Sequence, residues 1–84
     1  MEFMVSASFS PQDQAEILAR IPQEQARIKA LKDQGIVEAL YISSDLSHVW
    51  IVIKRESQDQ VQESLEQLPL YPYMKVEVTP LSQM

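Results

Sequence analysis

Period-two alternation opens and closes the chain. From residue 2 to residue 9, Phe3, Val5, Ala7 and Phe9 alternate with Met4, Ser6 and Ser8, which predicts a strand with one clearly apolar face. Near the other end Met74, Val76 and Val78 alternate with Lys75, Glu77 and Thr79, and Pro80 is expected to close that strand. Between them, residues 36–43 place Ile36, Leu40 and Ile42 on one face and Val37, Ala39 and Tyr41 on the other. The run from His48 to Lys54 is apolar on both faces, with Val49, Ile51 and Ile53 against Trp50 and Val52, as in a central strand. The polar Ser44-Asp45-Leu46-Ser47 is suited to turn the hairpin between these two.

Helical periodicity fills the gaps. Ser10 is a suitable N-cap, Pro11 fits the first helical position, and Asp13 favours the positive end of the dipole. Ile17, Ile21, Ile28 and Leu31 then fall on one stripe. Pro22 interrupts this pattern: either one helix kinks there, or a first helix ends near Arg20 and a second begins at Pro22. Gly35, the only glycine, stands where a left-handed C-cap is expected. Glu56 to Gln60 opens a second helix, with Ser57 as cap, Gln60 completing a capping box, and Val61, Leu65 and Leu68 as the buried stripe. Pro69 and Pro72 remove two backbone donors, so neither helix nor ladder continues through residues 68–72.

The order is therefore β-α-β-β-α-β. Right-handed crossovers turn it into an α+β, ferredoxin-like sandwich, a four-stranded antiparallel sheet with helices on one face. The second face of strand 48–54 then needs a cover, and a second copy of the same sheet is the simplest one.

Composition supports self-association and removes other classes. A chain of 84 residues forms a single domain, 1–84, and at this size buries only about 60–65% of its unfolded surface. It has no cysteine to staple the fold or bind metal, which leaves oligomerisation as the expected support. Twelve acids against seven bases give a net charge of −5, and no lysine or arginine cluster offers a track for nucleic acid. No apolar run approaches ~20 residues, and the start lacks a signal-peptide pattern, so the expectation is a cytoplasmic protein without a membrane partner. One histidine without neighbouring cysteines or paired acids argues against a metal site. No serine–histidine–acid or glycine-rich phosphate motif is present.

The run Leu68-Pro69-Leu70-Tyr71-Pro72-Tyr73-Met74, ending in Val78-Thr79-Pro80-Leu81, resembles the muconolactone isomerases. These carry a very similar Leu-Pro-Leu-aromatic-Pro-Tyr-Met run and Val-Thr-Pro-Leu strand end. Element order, Gly35, Leu40, the aromatic at Tyr41 and the Glu56-Ser57 helix start extend the similarity over nearly the whole chain. The resemblance implies a dimeric α+β barrel, a homodimer that assembles further into decamers. It also implies proton transfer, without metal or cofactor, within a small unsaturated lactone bearing a carboxylate. In that family a glutamate eleven residues before the glycine is the proton shuttle, and Glu24 stands at that spacing before Gly35. The family's Trp, Arg and His after the glycine are absent: Ile36 to Ile42 carries no arginine, and Glu38 replaces one. Fold transfers across such differences, and substrate does not.

Glu24 is the candidate catalytic residue. In a continuous helix it lies on the apolar stripe, where desolvation raises its pKa toward the range useful for acid–base work. If a new helix begins at Pro22, it merely faces the first-turn amides. Tyr41, His48, Trp50 and Tyr73 are the candidate substrate-binding residues. Their bland readings are a turn histidine and aromatics at a subunit interface, and Tyr71 shares the latter. Two functions follow: a cofactor-free proton-transfer isomerase or lyase acting on a small unsaturated carbonyl or lactone compound, or a non-catalytic oligomeric binding or scaffold protein that kept the fold.

Overall fold

A computed structural model of the chain describes residues 1–45 and 47–82; Leu46, in the expected hairpin turn, lies outside them. Four strands, β1 (Glu2–Phe9), β2 (Val37–Ile42), β3 (His48–Lys54) and β4 (Met74–Leu81), alternate with two helices, α1 (Gln14–Asp33) and α2 (Gln58–Glu66). Short 3-10 turns, Pro11–Asp13 and Tyr71–Tyr73, lead into α1 and β4. The sheet is antiparallel in the order β2-β3-β1-β4. Phe3 and Val5 of β1 and Ile51 and Ile53 of β3 share one core with Leu31 of α1 and Val61 and Leu65 of α2. Both helices therefore cover the same face, giving the α+β, ferredoxin-like arrangement that the element order predicts.

Local chemistry sets the boundaries. Ser57 Oγ accepts from the Gln60 amide at 3.3 Å, while Gln60 Oε1 accepts from the Ser57 amide at 3.3 Å, so the capping box of α2 closes. At the end of α1, Gly35 takes φ +78°. The Ile36 amide donates to Leu31 O at 2.9 Å and the Gly35 amide to Lys32 O at 3.0 Å, a Schellman closure. Ser10 caps the Pro11–Asp13 turn rather than α1 itself, and the Asp13 side chain makes no capping bond.

One open alternative closes and two local expectations change. Helix α1 is continuous through Pro22, which sits on its exposed side. Pro80 does not end β4; it pairs opposite Phe3 on an edge strand, where a missing amide breaks no inner ladder. In β2 a register shift between Val37 and Ala39 absorbs Glu38 as an extra residue. Val37 thereby lies opposite Ile53, on the same inner face as Leu40 and Ile42, and is buried there.

Candidate active site

Helix α1 stands off the sheet at its N-terminal end. Of its apolar stripe only Leu31 is fully buried; Ile28, Ile21 and Ile17 are half-buried, and Leu18 is 51% exposed. The helix is anchored at one end and leaves a wedge at the other, a groove of about 670 Å³. Leu40, Val49 and Ile51 form its floor, and Ile17, Ile21 and Ile28 form its helical wall. Phe9 and Met74 border it from the strand ends, and Ile42, itself 54% exposed, borders it on β2.

Glu24 opens into this apolar wall. A continuous helix keeps it on the stripe of Ile17, Ile21, Ile28 and Leu31, so its carboxyl enters the groove. The buried Leu70 amide donates to Oε1 of Glu24 at 3.0 Å. The other carboxyl oxygen has no hydrogen-bond partner among the described residues. Desolvation by the apolar surroundings raises the Glu24 pKa above the ordinary carboxylate value, and the Leu70 hydrogen bond offsets part of that rise. Such a group holds and releases a proton nearer neutrality than an exposed glutamate does.

Polar groups gather at the rim. Gln14, Gln25, Lys29 and Lys32, with the apolar Leu18 among them, follow one another at helical spacing beside the apolar stripe and line the groove. Asp45 and Ser47 approach from the β2–β3 hairpin. Asp45 Oδ1 accepts from the Ser43 hydroxyl at 2.7 Å, the Ser47 hydroxyl at 2.6 Å and the Ser47 amide at 3.0 Å. These bonds hold its pKa at about 2. Asp45 is thus a fixed negative charge at neutral pH rather than a proton carrier. Among the described residues no group of three or more His, Asp and Glu is placed to hold a metal ion.

The five residues singled out from the sequence do not form one cluster within the chain. Glu24 alone lines the groove. Val49, Ile51 and Ile53 point toward the helices, so His48 and Trp50 point to the outer face, and Tyr41, paired with Trp50, lies there too. The His48 and Trp50 rings stack at 5.9 Å with 16° between their planes. His48 Nδ1 lies 2.9 Å from Ser47 Oγ, whose proton goes to Asp45, so this contact calls for a proton on Nδ1. Tyr73 lies in the turn before β4 with the Arg20 guanidinium 5.1 Å from its ring centroid. Its pKa is raised, first by desolvation and then by its hydrogen bond to Glu16, against the opposing charge of Arg20. The rim row on α1 is the part of the site that sequence reading passed over, although its spacing is as regular as that of the apolar stripe.

Four antiparallel strands, two helices on one face and an acid in the cleft between helix and sheet define a small α+β domain with a ligand-sized groove. The chain belongs to the muconolactone delta-isomerase family, whose profile matches residues 1–84. A muconolactone isomerase of known structure superposes with a TM-score of 0.76 at 24% identity, covering 100% of this chain and 91% of that one. A 5-chloro-2-hydroxyhydroquinone dehydrochlorinase from Burkholderia phenoliruptrix AC1100, solved with 2,5-dihydroxybenzoquinone, superposes with a TM-score of 0.86 at 14% identity, covering 100% and 96%. Identities this low establish the shared fold. No protein of curated function matches by sequence. The family takes its name from an isomerase, muconolactone delta-isomerase. No helix among the described residues is long and apolar enough to cross a membrane.

Proposed function

We propose that the protein is a proton-transfer isomerase or lyase for a small unsaturated carbonyl or lactone compound, with Glu24 as its acid–base group and no cofactor in the reaction. One observation carries this reading: a half-buried carboxyl on an apolar groove wall, one oxygen held by the Leu70 amide and the other without a hydrogen-bond partner among the described residues. In the first step the carboxylate takes a proton from the carbon between the carbonyl and the double bond of a β,γ-unsaturated substrate, and the electron pair spreads into a dienolate. Returning that proton to the far carbon gives the isomer; loss of a leaving group from the dienolate instead gives a lyase. Both neighbours' names, an isomerase and a dehydrochlorinase, are compatible with this shared first step. The apolar floor suits a flat ring, and a ring seated on it would displace water from around the reacting carbon, which strengthens charge interactions there.

Assembly belongs to the same proposal. The outer sheet face presents Trp50, 37% exposed, and Tyr41, 62% exposed, beside Met4 and Val52. This apolar patch, on a sheet face that also carries Ser6, Ser8, Lys75 and Glu77, suits a second copy of the chain and a dimeric α+β barrel, with decamers as a higher assembly. The test of the catalytic role is isomerisation of a β,γ-unsaturated lactone to its conjugated isomer, followed by absorbance. Glu24→Gln is expected to lower the rate by about 10²–10⁴-fold, and an undiminished rate would remove Glu24 from the chemistry.

A further inference from the structure

The turn that meets Glu24 is held by a contact of its own. Between residues 68 and 73 the Leu68, Tyr71 and Tyr73 amides donate to the carbonyls of Leu65, Leu68 and Leu70 at 3.0, 3.0 and 2.9 Å. Pro69 and Pro72 have no amide proton. Leu70 is left as the one donor of this turn that points to a side chain, Glu24 Oε1 at 3.0 Å. One helical turn before Glu24, on the same side of α1, Arg20 lays its guanidinium over the Tyr73 ring at 5.1 Å from the centroid. The same turn is tied to α2 by the Gln62 side chain, whose Nε2 donates to the Tyr71 hydroxyl. Two residues of α1, four apart, thus grip two residues of the turn, three apart, and Glu16, one helical turn before Arg20, takes the hydrogen bond of the Tyr73 hydroxyl.

We propose that Arg20 and Tyr73 are positioning residues whose stacked contact keeps the Leu70 amide on Oε1 of Glu24 and leaves Oε2 as the atom that carries the proton. A protonated carboxyl still accepts through its carbonyl oxygen, so an amide fixed on Oε1 directs the hydroxyl proton to Oε2 and into the groove. This role rests on Glu24 acting as the acid–base group, and it moves Tyr73 from substrate contact to support. Loosening the grip withdraws the bond that favours the ionised form, while the burial that disfavours it remains. Other charges facing the groove are Lys29 and Lys32 on α1 and Asp45 in the hairpin; its lining residues on the strands and at Leu70 are apolar.

The test follows the Glu24 carboxyl carbon by NMR titration and the Leu70 amide by hydrogen exchange, in the full chain. Tyr73→Leu is expected to shift the Glu24 midpoint upward and to speed Leu70 exchange, while Tyr73→Phe, which loses the hydroxyl contact with Glu16 but keeps the ring face under Arg20, leaves both unchanged. If either quantity in Tyr73→Leu stays at the wild-type value, or Tyr73→Phe moves both as far, the positioning role is overturned. Should Tyr73→Leu not fold, Arg20→Gln replaces it with amide exchange alone as the reading, because loss of a charge moves Glu24 by itself. An unchanged Leu70 exchange rate there overturns the role equally. No substrate enters these measurements, so their failure leaves Glu24 as the acid–base group, and inactivity toward lactones leaves the clamp standing.

Discussion

Replacing Glu24 by glutamine and by alanine separates its charge from its hydrogen bond. Glutamine keeps an oxygen for the Leu70 amide; alanine leaves that amide without a partner on a residue only 5% exposed. An orphaned buried amide costs about 1–3 kcal/mol, so Glu24→Ala is expected to be destabilising by that order. The glutamine variant reports the charge. The folded pKa of Glu24 is raised, chiefly by desolvation. Its contribution is therefore fully present below the unfolded value, about 4.3, and lost as pH rises through the folded one. Glutamine does not titrate, so its stability relative to wild type is flat in acid and improves between the unfolded value and neutrality. Because the carboxylate is half-buried beside an open groove, screening by water holds the gain to at most about 1 kcal/mol. In a domain of this size that is at most about 4–8 °C in Tm. Thermal melts by circular dichroism, near pH 3.5 and pH 7 at one fixed protein concentration, make the comparison. A glutamine variant less stable than wild type at neutral pH, or a difference that shrinks as pH rises, would refute the desolvated carboxyl.

Gly35→Ala tests the end of α1: an added Cβ meets nothing within 4 Å, so only the positive φ opposes it. The expected loss is about 1 kcal/mol in denaturant melts, and no loss would contradict the left-handed cap. Sedimentation is expected to show at least a dimer at micromolar concentration, and Trp50→Glu to shift it toward smaller species by burying an unpaired charge; a wild-type monomer would end the sheet-to-sheet proposal. Turnover of muconolactone itself is expected to be weak or absent in a spectrophotometric assay. Strand β2 offers no arginine fork for its carboxylate, and the groove's cations, Lys29 and Lys32, are point charges. Turnover in the ordinary enzyme range of about 1–1000 per second would contradict this.

Most of the fold was legible because its signals are local. β3 is apolar on both faces from Val49 to Ile53, and Ser57 with Gln60 and Gly35 mark helix ends through short-range hydrogen bonds. Continuity through Pro22 was also readable in principle, since Ile17, Ile21, Glu24, Ile28 and Leu31 share one stripe only if the helix does not break there. The phase of β2 was not, because a bulge at Glu38 inserts one residue and period-two counting from Ile36 then assigns Val37 to the wrong face. Nor was the site, apart from Glu24. Amphipathic aromatics such as Tyr41 and Trp50 fit a pocket or an interface equally well, and only strand pairing with a buried Val49 and Ile51 shows which face they occupy. The groove escaped notice because an apolar stripe reads as core. Whether Ile17 and Ile21 seal against the sheet depends on how far α1 stands from it, which no local pattern encodes.

The most direct measurement of the central claim is solvent deuterium wash-in, followed by proton NMR, with a β,γ-unsaturated lactone incubated in D2O. It reads proton removal from carbon whether or not the product accumulates. The account predicts enzyme-dependent exchange at the carbon next to the carbonyl, slowed about 10²–10⁴-fold in Glu24→Gln, whose hydrogen bond to Leu70 is retained. Exchange at the same rate in wild type and Glu24→Gln would contradict it.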